Sequence, residues 1–258
     1  MAYKDIMVYL DPTADSSARL RLAAAMARDH GARLTGVEAT ADAGFVGAWG
    51  ETARQVRFNF QAVVKEARLE SRFVAAAEAL TVGAELSHCV DLIVASRSEG
   101  EARALIRPEI PDAPLLGSGA PMLLLPHDWT PAPVGESIVV AWNGSREATR
   151  AVHDAMPLLL KAKKVTLFSF APRTGAKRSS SAALADHLGR HGVAAGISDW
   201  IDTRDLSALE ALFASLDTQD ADLIVSGAFG HSRLFEGLFG SVSRDLLRQP
   251  TTPILMSH

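Results

Sequence analysis

The chain has one cysteine, Cys89, in 258 residues. A lone cysteine excludes an internal disulfide and suits a reducing compartment, where a small buried apolar side chain is the expected role. The chain also lacks an excess of basic charge. Its 26 Lys and Arg stand against 30 Asp and Glu, a formal net charge of −4. A nonspecific nucleic-acid surface needs clustered Lys and Arg and is not expected. No apolar run approaches the ~20 residues that span a bilayer. The opening stretch, Met1 to Pro12, is broken by Lys4, Asp5 and Asp11, so it has no signal-peptide core. The expectation is a cytoplasmic protein with no membrane contact.

Several catalytic signatures are missing as well. There is no Gly-x4-Gly-Lys-Ser/Thr phosphate loop. Neither Gly-x-Gly-x-x-Gly after the first strand nor a Gly-x-Ser-x-Gly elbow occurs. His187 and His191 stand four apart on an expected helix, which permits metal binding, but no third ligand is near in sequence. A solvated helix face is the expected role, and His153-Asp154 is read as surface rather than as a catalytic pair. Lys177 to Ser181 is expected to be a loop ending in a helix N-cap. No catalytic residue and no metal ligand is assigned.

What the chain does contain is repetition. Asp5-Ile6-Met7-Val8 restarts as Ser137-Ile138-Val139-Val140, an offset of 138 − 6 = 132. Asp91-Leu92-Ile93-Val94 recurs as Asp222-Leu223-Ile224-Val225, and Pro121-Met122-Leu123-Leu124 as Pro253-Ile254-Leu255-Met256. Three apolar anchors at nearly one offset imply duplication of a domain. The division falls in Pro126 to Glu136, a proline-rich linker. The expected domains are therefore 1–130 and 137–258.

Each half alternates short apolar strands with amphipathic helices. Strands are expected near 5–10, 33–38, 71–76, 91–96 and 121–125, then 137–142, 165–170, 194–201, 222–226 and 253–257. Helices are expected near 15–30, 51–68, 77–88 and 108–116, then 146–161, 179–191, 205–217 and 241–249. Continuous apolar strands with helices between them predict an α/β fold, a doubly wound five-stranded parallel sheet in each half. Such sheets take ligands outside the carboxyl ends of their strands.

Past the fourth strand of the second half comes Gly227-Ala228-Phe229-Gly230-His231-Ser232-Arg233, followed by Gly240-Ser241. Glycines there allow close backbone approach, and a helix starting at Gly240-Ser241 would offer N–H groups to an anion. The first half has no counterpart. Ser96 and Glu99 stand opposite Gly227 and Gly230, and Pro108 and Glu109 fall opposite Gly240 and Ser241. Pro108 has no N–H, and Glu99 and Glu101 would repel phosphate.

The spacing Gly-x2-Gly-x9-Gly-Ser between a strand and a helix resembles the nucleotide loop of the universal stress protein (UspA-like) family. The resemblance extends over a tandem pair of such domains, the first of them degenerate. It implies a HUP/Rossmann-like strand order of 3-2-1-4-5 and a site for ATP, with or without Mg2+, in the second half. Carried onto this sequence, the nucleoside would meet Ala141, Trp142 and Asn143, and the base would lie near Phe170. Ser226, Gly227, Gly230, His231, Gly240, Ser241, Val242 and Ser243 would surround ribose and phosphates. The family's usual aspartate after the first strand is replaced by Asn143. Asp11 keeps that carboxylate in the first half, where a helix cap or turn is its expected role. The resemblance further implies a stress-response role, an intrachain pseudo-dimer of the halves and a possible homodimer. The alternatives are a slow ATPase or adenylyl-transferring enzyme, and an interaction protein that binds no nucleotide.

Overall fold

The structure, a computed structural model, describes residues 2–39, 48–96, 117–127, 129–171, 180–201, 208–228 and 251–258. The chain divides into two compact units, Met1–Pro131 and Ala132–His258. The helices expected near 108–116 and 241–249 lie outside the described residues.

The N-terminal unit runs β1 (Asp5–Leu10), α1 (Ala14–His30), β2 (Arg33–Glu38), α2 (Ala48–Glu66) and β3 (Ser71–Val74). It continues through a helical stretch to β4 (Leu92–Ser96) and β5 (Met122–Leu125). Its strand order is β3-β2-β1-β4-β5, and every neighbouring pair is parallel. The C-terminal unit runs β6 (Ser137–Ala141), α4 (Arg146–Leu159), β7 (Lys164–Ala171), α5 (Ser181–Arg190), β8 (Ala195–Ile201), α6 (Ala208–Gln219), β9 (Leu223–Gly227) and β10 (Ile254–Ser257). Its order is β8-β7-β6-β9-β10, again all parallel. Both units thus have the α/β architecture expected from the sequence and the 3-2-1-4-5 order that the resemblance implies.

The reason is visible in β1 and β6. Ile6 to Leu10 and Ile138 to Ala141 are all buried, because a central parallel strand is covered on both faces and must be apolar throughout. The aspartates that open the repeated Asp-Leu-Ile-Val runs have a shared task. Asp91 Oδ2 accepts from the backbone N–H groups of Lys4 (2.6 Å) and Asp5 (3.0 Å). Asp222 accepts from those of Gly135 (2.8 Å), Glu136 (2.9 Å) and Ser137 (3.2 Å). Each carboxylate therefore ties the start of the fourth strand to the start of the first. Orphan backbone donors at the edge of a sheet need such partners.

One element differs from expectation. The stretch expected as a single helix near 77–88 is a 3-10 turn (Ala76–Glu78), a π turn (Ala79–Gly83) and the short α3 (Ala84–Ser87). Two anchors hold it. The Glu38 carboxylate accepts from Ala76 N–H at 3.2 Å, and Gly83 packs where an added Cβ would lie 3.2 Å from Val37. The wide π turn takes up the intervening residues. Cys89, just beyond, is exposed rather than buried, because it follows α3 in a turn and not on a packed face. Among the described residues no helix is long and apolar enough to cross a membrane.

Candidate functional site

In the C-terminal unit the strand order reverses between β6 and β9. This is where a doubly wound sheet opens a crevice. Ala141 pairs with Ser226 in register across that boundary, so the last residues of β6 and β9 lie side by side. Phe170 is two residues beyond Phe168, the β7 partner of Ala141, and pairs with Trp200. The fold therefore brings Ala141, Trp142, Asn143, Phe170, Ser226 and Gly227 to one edge of the sheet. Gly230, His231, Gly240, Ser241, Val242 and Ser243 lie outside the described residues, as does Arg233.

The turn after β6 is built by three residues. Asn143 Oδ1 accepts from Ser145 N–H at 3.0 Å, an Asx turn. Gly144 follows with φ +72°, a conformation that glycine adopts cheaply. Ser145 then caps α4, its Oγ accepting from Ala148 N–H at 3.1 Å. Asn143 remains exposed, whereas Trp142 is buried and its indole N–H donates to Ser180 Oγ at 2.8 Å. The Trp142 N–H is also taken, by the Phe168 carbonyl at 2.7 Å. Ser180 does stand at the N-cap of α5, as expected, but its hydroxyl makes no capping bond and serves Trp142 instead.

Gly227 has a packing role that the sequence did not suggest. A methyl group built on it would lie 2.5 Å from Ala148 N and 2.8 Å from Glu147 Cβ. The first turn of α4 is pressed against the end of β9, and only glycine fits between them. Glu147 is itself buried. Burial pushes its carboxyl up, but hydrogen bonds from its own N–H, Ser145 and Arg146, with the Arg146 charge, outweigh this and hold it below the ordinary value. A fixed negative charge thus stands in the first turn of α4, where it favours the helix dipole.

The N-terminal unit makes the same turn with different chemistry. Asp11 is 132 residues before Asn143, and its Oδ1 accepts from Thr13 N–H at 2.8 Å. The expected turn role holds. Its other oxygen, Oδ2, meets Arg19 Nη2 at 2.5 Å, and both side chains are buried, 4 % and 2 % exposed. Arg19 Nε also donates to the Tyr9 carbonyl at 2.7 Å. Burial alone would raise the Asp11 carboxyl, but the Arg19 guanidinium and the Thr13 donors hold it below its ordinary value. The counterpart of Arg19 in the other unit is Ala151.

A further difference sits at the end of the second strand. Val37 and Phe168 are the strand partners of the equivalent residues Tyr9 and Ala141, so Glu38 stands where the C-terminal unit has Ser169, and Ala39 where it has Phe170; Glu38 is buried, with Oε1 lacking a hydrogen-bond partner. Burial raises its carboxyl, against the opposing Ala76 N–H and the Arg57 charge. The cavity beside Asp11 is small, about 80 Å³, and is lined by Leu10, Asp11, Thr13, Ser16, Gln55 and Asn59 among others. A nucleotide-sized ligand needs several hundred. In the C-terminal unit an open hollow of about 490 Å³ lies on the outer face of α4, lined by Gly144, Arg146, Thr149, Arg150, His153 and Asp154.

The model of the Universal stress protein family matches residues 210–258. No curated protein matches the sequence. Among solved structures, a universal stress protein from Archaeoglobus fulgidus DSM 4304 is 14 % identical, covers 98 % of this chain and 95 % of its own, and has a TM-score of 0.73. A functionally unknown protein from Pseudomonas aeruginosa PAO1 is 15 % identical over 99 % of this chain and 92 % of its own, with a TM-score of 0.64. A universal stress protein solved in complex with cAMP is 23 % identical over 48 % of this chain and 96 % of its own, with a TM-score of 0.36. The two full-length likenesses establish a shared fold.

Proposed function

Starting from a C-terminal segment matched to the universal stress protein family and a fold shared with one of its members, we propose that this chain binds an adenine nucleotide, ATP, in its C-terminal unit. The reading rests on one observation above the others. At the strand-order reversal, the exposed Asn143 turn and the capped start of α4 stand beside Ser226 and Gly227, the last residues before the glycine-rich segment.

In this reading Asn143 presents its amide to the nucleoside, and the carbonyls of Ala141 and Trp142 complete that wall. Phe170, buried at the end of β7, supports the base from beneath. Gly230 and the run Gly240 to Ser243 receive the phosphates through backbone N–H groups. Any Mg2+ arrives with the phosphates, as is usual for this ion; among the described residues no group of three carboxylates, histidines or cysteines could hold a metal. The N-terminal unit takes no ATP in this reading. Its aspartate is neutralised internally by Arg19, its cavity is small, and its sequence lacks the glycines. Nucleotide occupancy then acts as a signal in a stress response.

A thermal-unfolding titration with ATP tests the reading. At ~100 times Kd the ligand stabilises the folded state by about 2.7 kcal/mol. The shift is expected to vanish in Gly230→Val and to persist in Arg19→Ala. Absence of a shift at millimolar ATP sinks the proposal. Steady release of phosphate or AMP would instead mark slow hydrolysis or adenylyl transfer.

A further inference from the structure

The residues that lead out of β9 into the glycine-rich segment are held from two sides. A methyl group added to Gly227 would strike the first turn of α4, so the strand end is fixed on that face. Ser226 Oγ donates to the Gly227 carbonyl at 3.1 Å. Ala228, the next residue, is fully buried. The end of β10 binds both of its backbone groups. The Ala228 N–H donates to the Ser257 carbonyl at 2.7 Å, and the Ala228 carbonyl meets His258 Nδ1 at 2.9 Å.

The first of these bonds prolongs the ladder in which Met256 pairs with Ser226 and Ser257 with Gly227. It needs only backbone, so almost any residue at 257 could make it. The second depends on a side chain. A carbonyl can only accept, so Nδ1 carries the hydrogen in that contact. The bond selects one tautomer of the neutral ring, and the imidazolium keeps the same donor. The Ala228 carbonyl is therefore held in either protonation state.

The N-terminal unit has no such side chain. The residue 132 before His258 is Pro126 (258 − 132), and Ser96 and Glu99 stand where the C-terminal unit has Gly227 and Gly230. A proline ring offers no donor. The donor and the glycines thus occur in the same unit and are absent from the same unit. The physical link is entropy. Glycine has more backbone freedom to lose than any other residue, and ordering a segment on binding subtracts from affinity. Fixing Ala228, two residues before Gly230, removes part of that cost before a ligand arrives.

We propose that His258 is a positioning residue: by holding the Ala228 carbonyl it sets the direction in which the glycine-rich segment leaves β9, and so raises the affinity of the C-terminal unit for nucleotide. The gain in affinity rests on the nucleotide reading above; the hold on the segment does not.

Two measurements on the full chain separate these parts. One is amide hydrogen exchange without ligand, read on peptides within residues 226–243. The other is calorimetric titration with ATP. His258→Ala removes the donor. His258→Asn keeps one, because Nδ2 of asparagine and Nδ1 of histidine both branch from Cγ. The alanine variant is expected to exchange faster in these peptides and to bind ATP about three- to tenfold more weakly. The asparagine variant is expected to stay within about twofold of the unaltered chain in both. The ratio of their Kd values is expected to hold constant between about pH 6 and 8, since either form of the ring donates. A ratio that drifts with pH would put imidazolium charge on the phosphates themselves and overturn the positioning role. Unchanged exchange in His258→Ala overturns the proposal, as does equal weakening in the alanine and asparagine variants. Faster exchange in His258→Ala alone, with no ATP bound by the unaltered chain, supports the hold on Ala228 and overturns the nucleotide reading.

Discussion

Arg19 and Asp11 form a buried ion pair in the N-terminal unit, Nη2 to Oδ2 at 2.5 Å, at the position where the C-terminal unit has Ala151 and Asn143. The two changes go together. The unit that keeps a carboxylate after its first strand also carries a guanidinium that satisfies it. The unit with a neutral amide has only a methyl group in place of the arginine. A buried charge is tolerated only with a partner, so the aspartate of the N-terminal unit is committed to the fold and its counterpart Asn143 stays exposed.

Removing Arg19 alone leaves Asp11 buried and uncompensated. Arg19→Met is expected to cost about 3–5 kcal/mol at pH 7. Arg19→Met with Asp11→Asn recreates the neutral arrangement of the other unit and recovers most of that loss, because the amide oxygen still accepts from Thr13. The sign with pH follows from the lowered Asp11 carboxyl. Its contribution is present above the ordinary value of 3.8 and is lost as pH falls through the lower folded value. Urea unfolding of both variants between pH 7 and pH 2 measures each part. A single variant costing under about 1 kcal/mol would show that the pair is not coupled as its geometry implies.

Gly227 should resist substitution even by alanine. A Cβ there meets the α4 backbone at 2.5 Å, and backbone in a first helical turn cannot swing aside. Overpacking of this kind costs about 1–3 kcal/mol or more. Gly196, in β8, is the matched control, since nothing lies within 3.8 Å of its added Cβ. Gly196→Ala is expected to be neutral or slightly stabilising. Equal effects in the two variants, measured by thermal melts, would contradict the packing argument. A loss of nucleotide binding in Gly227→Ala is to be read only after its stability is known, which is why Gly230→Val is the cleaner probe of the ligand.

The strands were legible because each is a short apolar run between turn signals, and burial on both faces demands that pattern. The turn after β6 was legible too, since Asn143-Gly144-Ser145 carries turn and cap chemistry in three consecutive letters. Arg19 was harder to interpret. It lies with Leu20, Ala23 and Ala27 on the buried stripe of α1, and a charge on such a stripe announces a partner without naming it. Asp11, eight residues earlier, could have been proposed on that ground. The contact of His153 with His187, ring centroids 5.7 Å apart, was beyond reach, because no local pattern records which helices become neighbours. Gly227 carries a second role that was not legible: a glycine before a loop suggests ligand approach, and only the position of α4 reveals the crowding.

Tyr9 gives the alkaline limb of stability a single cause to test. Burial pushes its phenol up to about 12 from 10.0. Its neutral form is the one the fold accepts, so its contribution is complete below pH 10 and is lost as pH rises through about 12. The rise from 10.0 to about 12 corresponds to roughly 2.7 kcal/mol. Tyr9→Phe keeps the backbone carbonyl that Arg19 uses and removes the ionisable group. It is expected to flatten the fall in stability between pH 10 and pH 12, measured by urea unfolding. A chain with two tyrosines also permits direct ultraviolet titration. Ionisation of both at pH 10 in the folded protein would refute the assignment.

The bond from Trp142 to Ser180 joins the end of β6 to the start of α5, and it predicts how the turn after β6 fails. Ser180→Ala leaves a buried indole N–H without its acceptor, which costs about 1–3 kcal/mol. Ser180→Thr keeps the hydroxyl and should retain most of the stability. Gly144 adds an independent constraint, for it holds φ +72° with its would-be Cβ 3.3 Å from the same Ser180 oxygen. Gly144→Ala therefore combines backbone strain of about 1 kcal/mol with a close contact. Because both residues press on Ser180 Oγ, the Gly144→Ala and Ser180→Ala changes are expected to be non-additive, the double variant costing less than the sum. A double-mutant cycle by urea unfolding measures the coupling, and strict additivity would mean that the two sides of the turn do not share that oxygen.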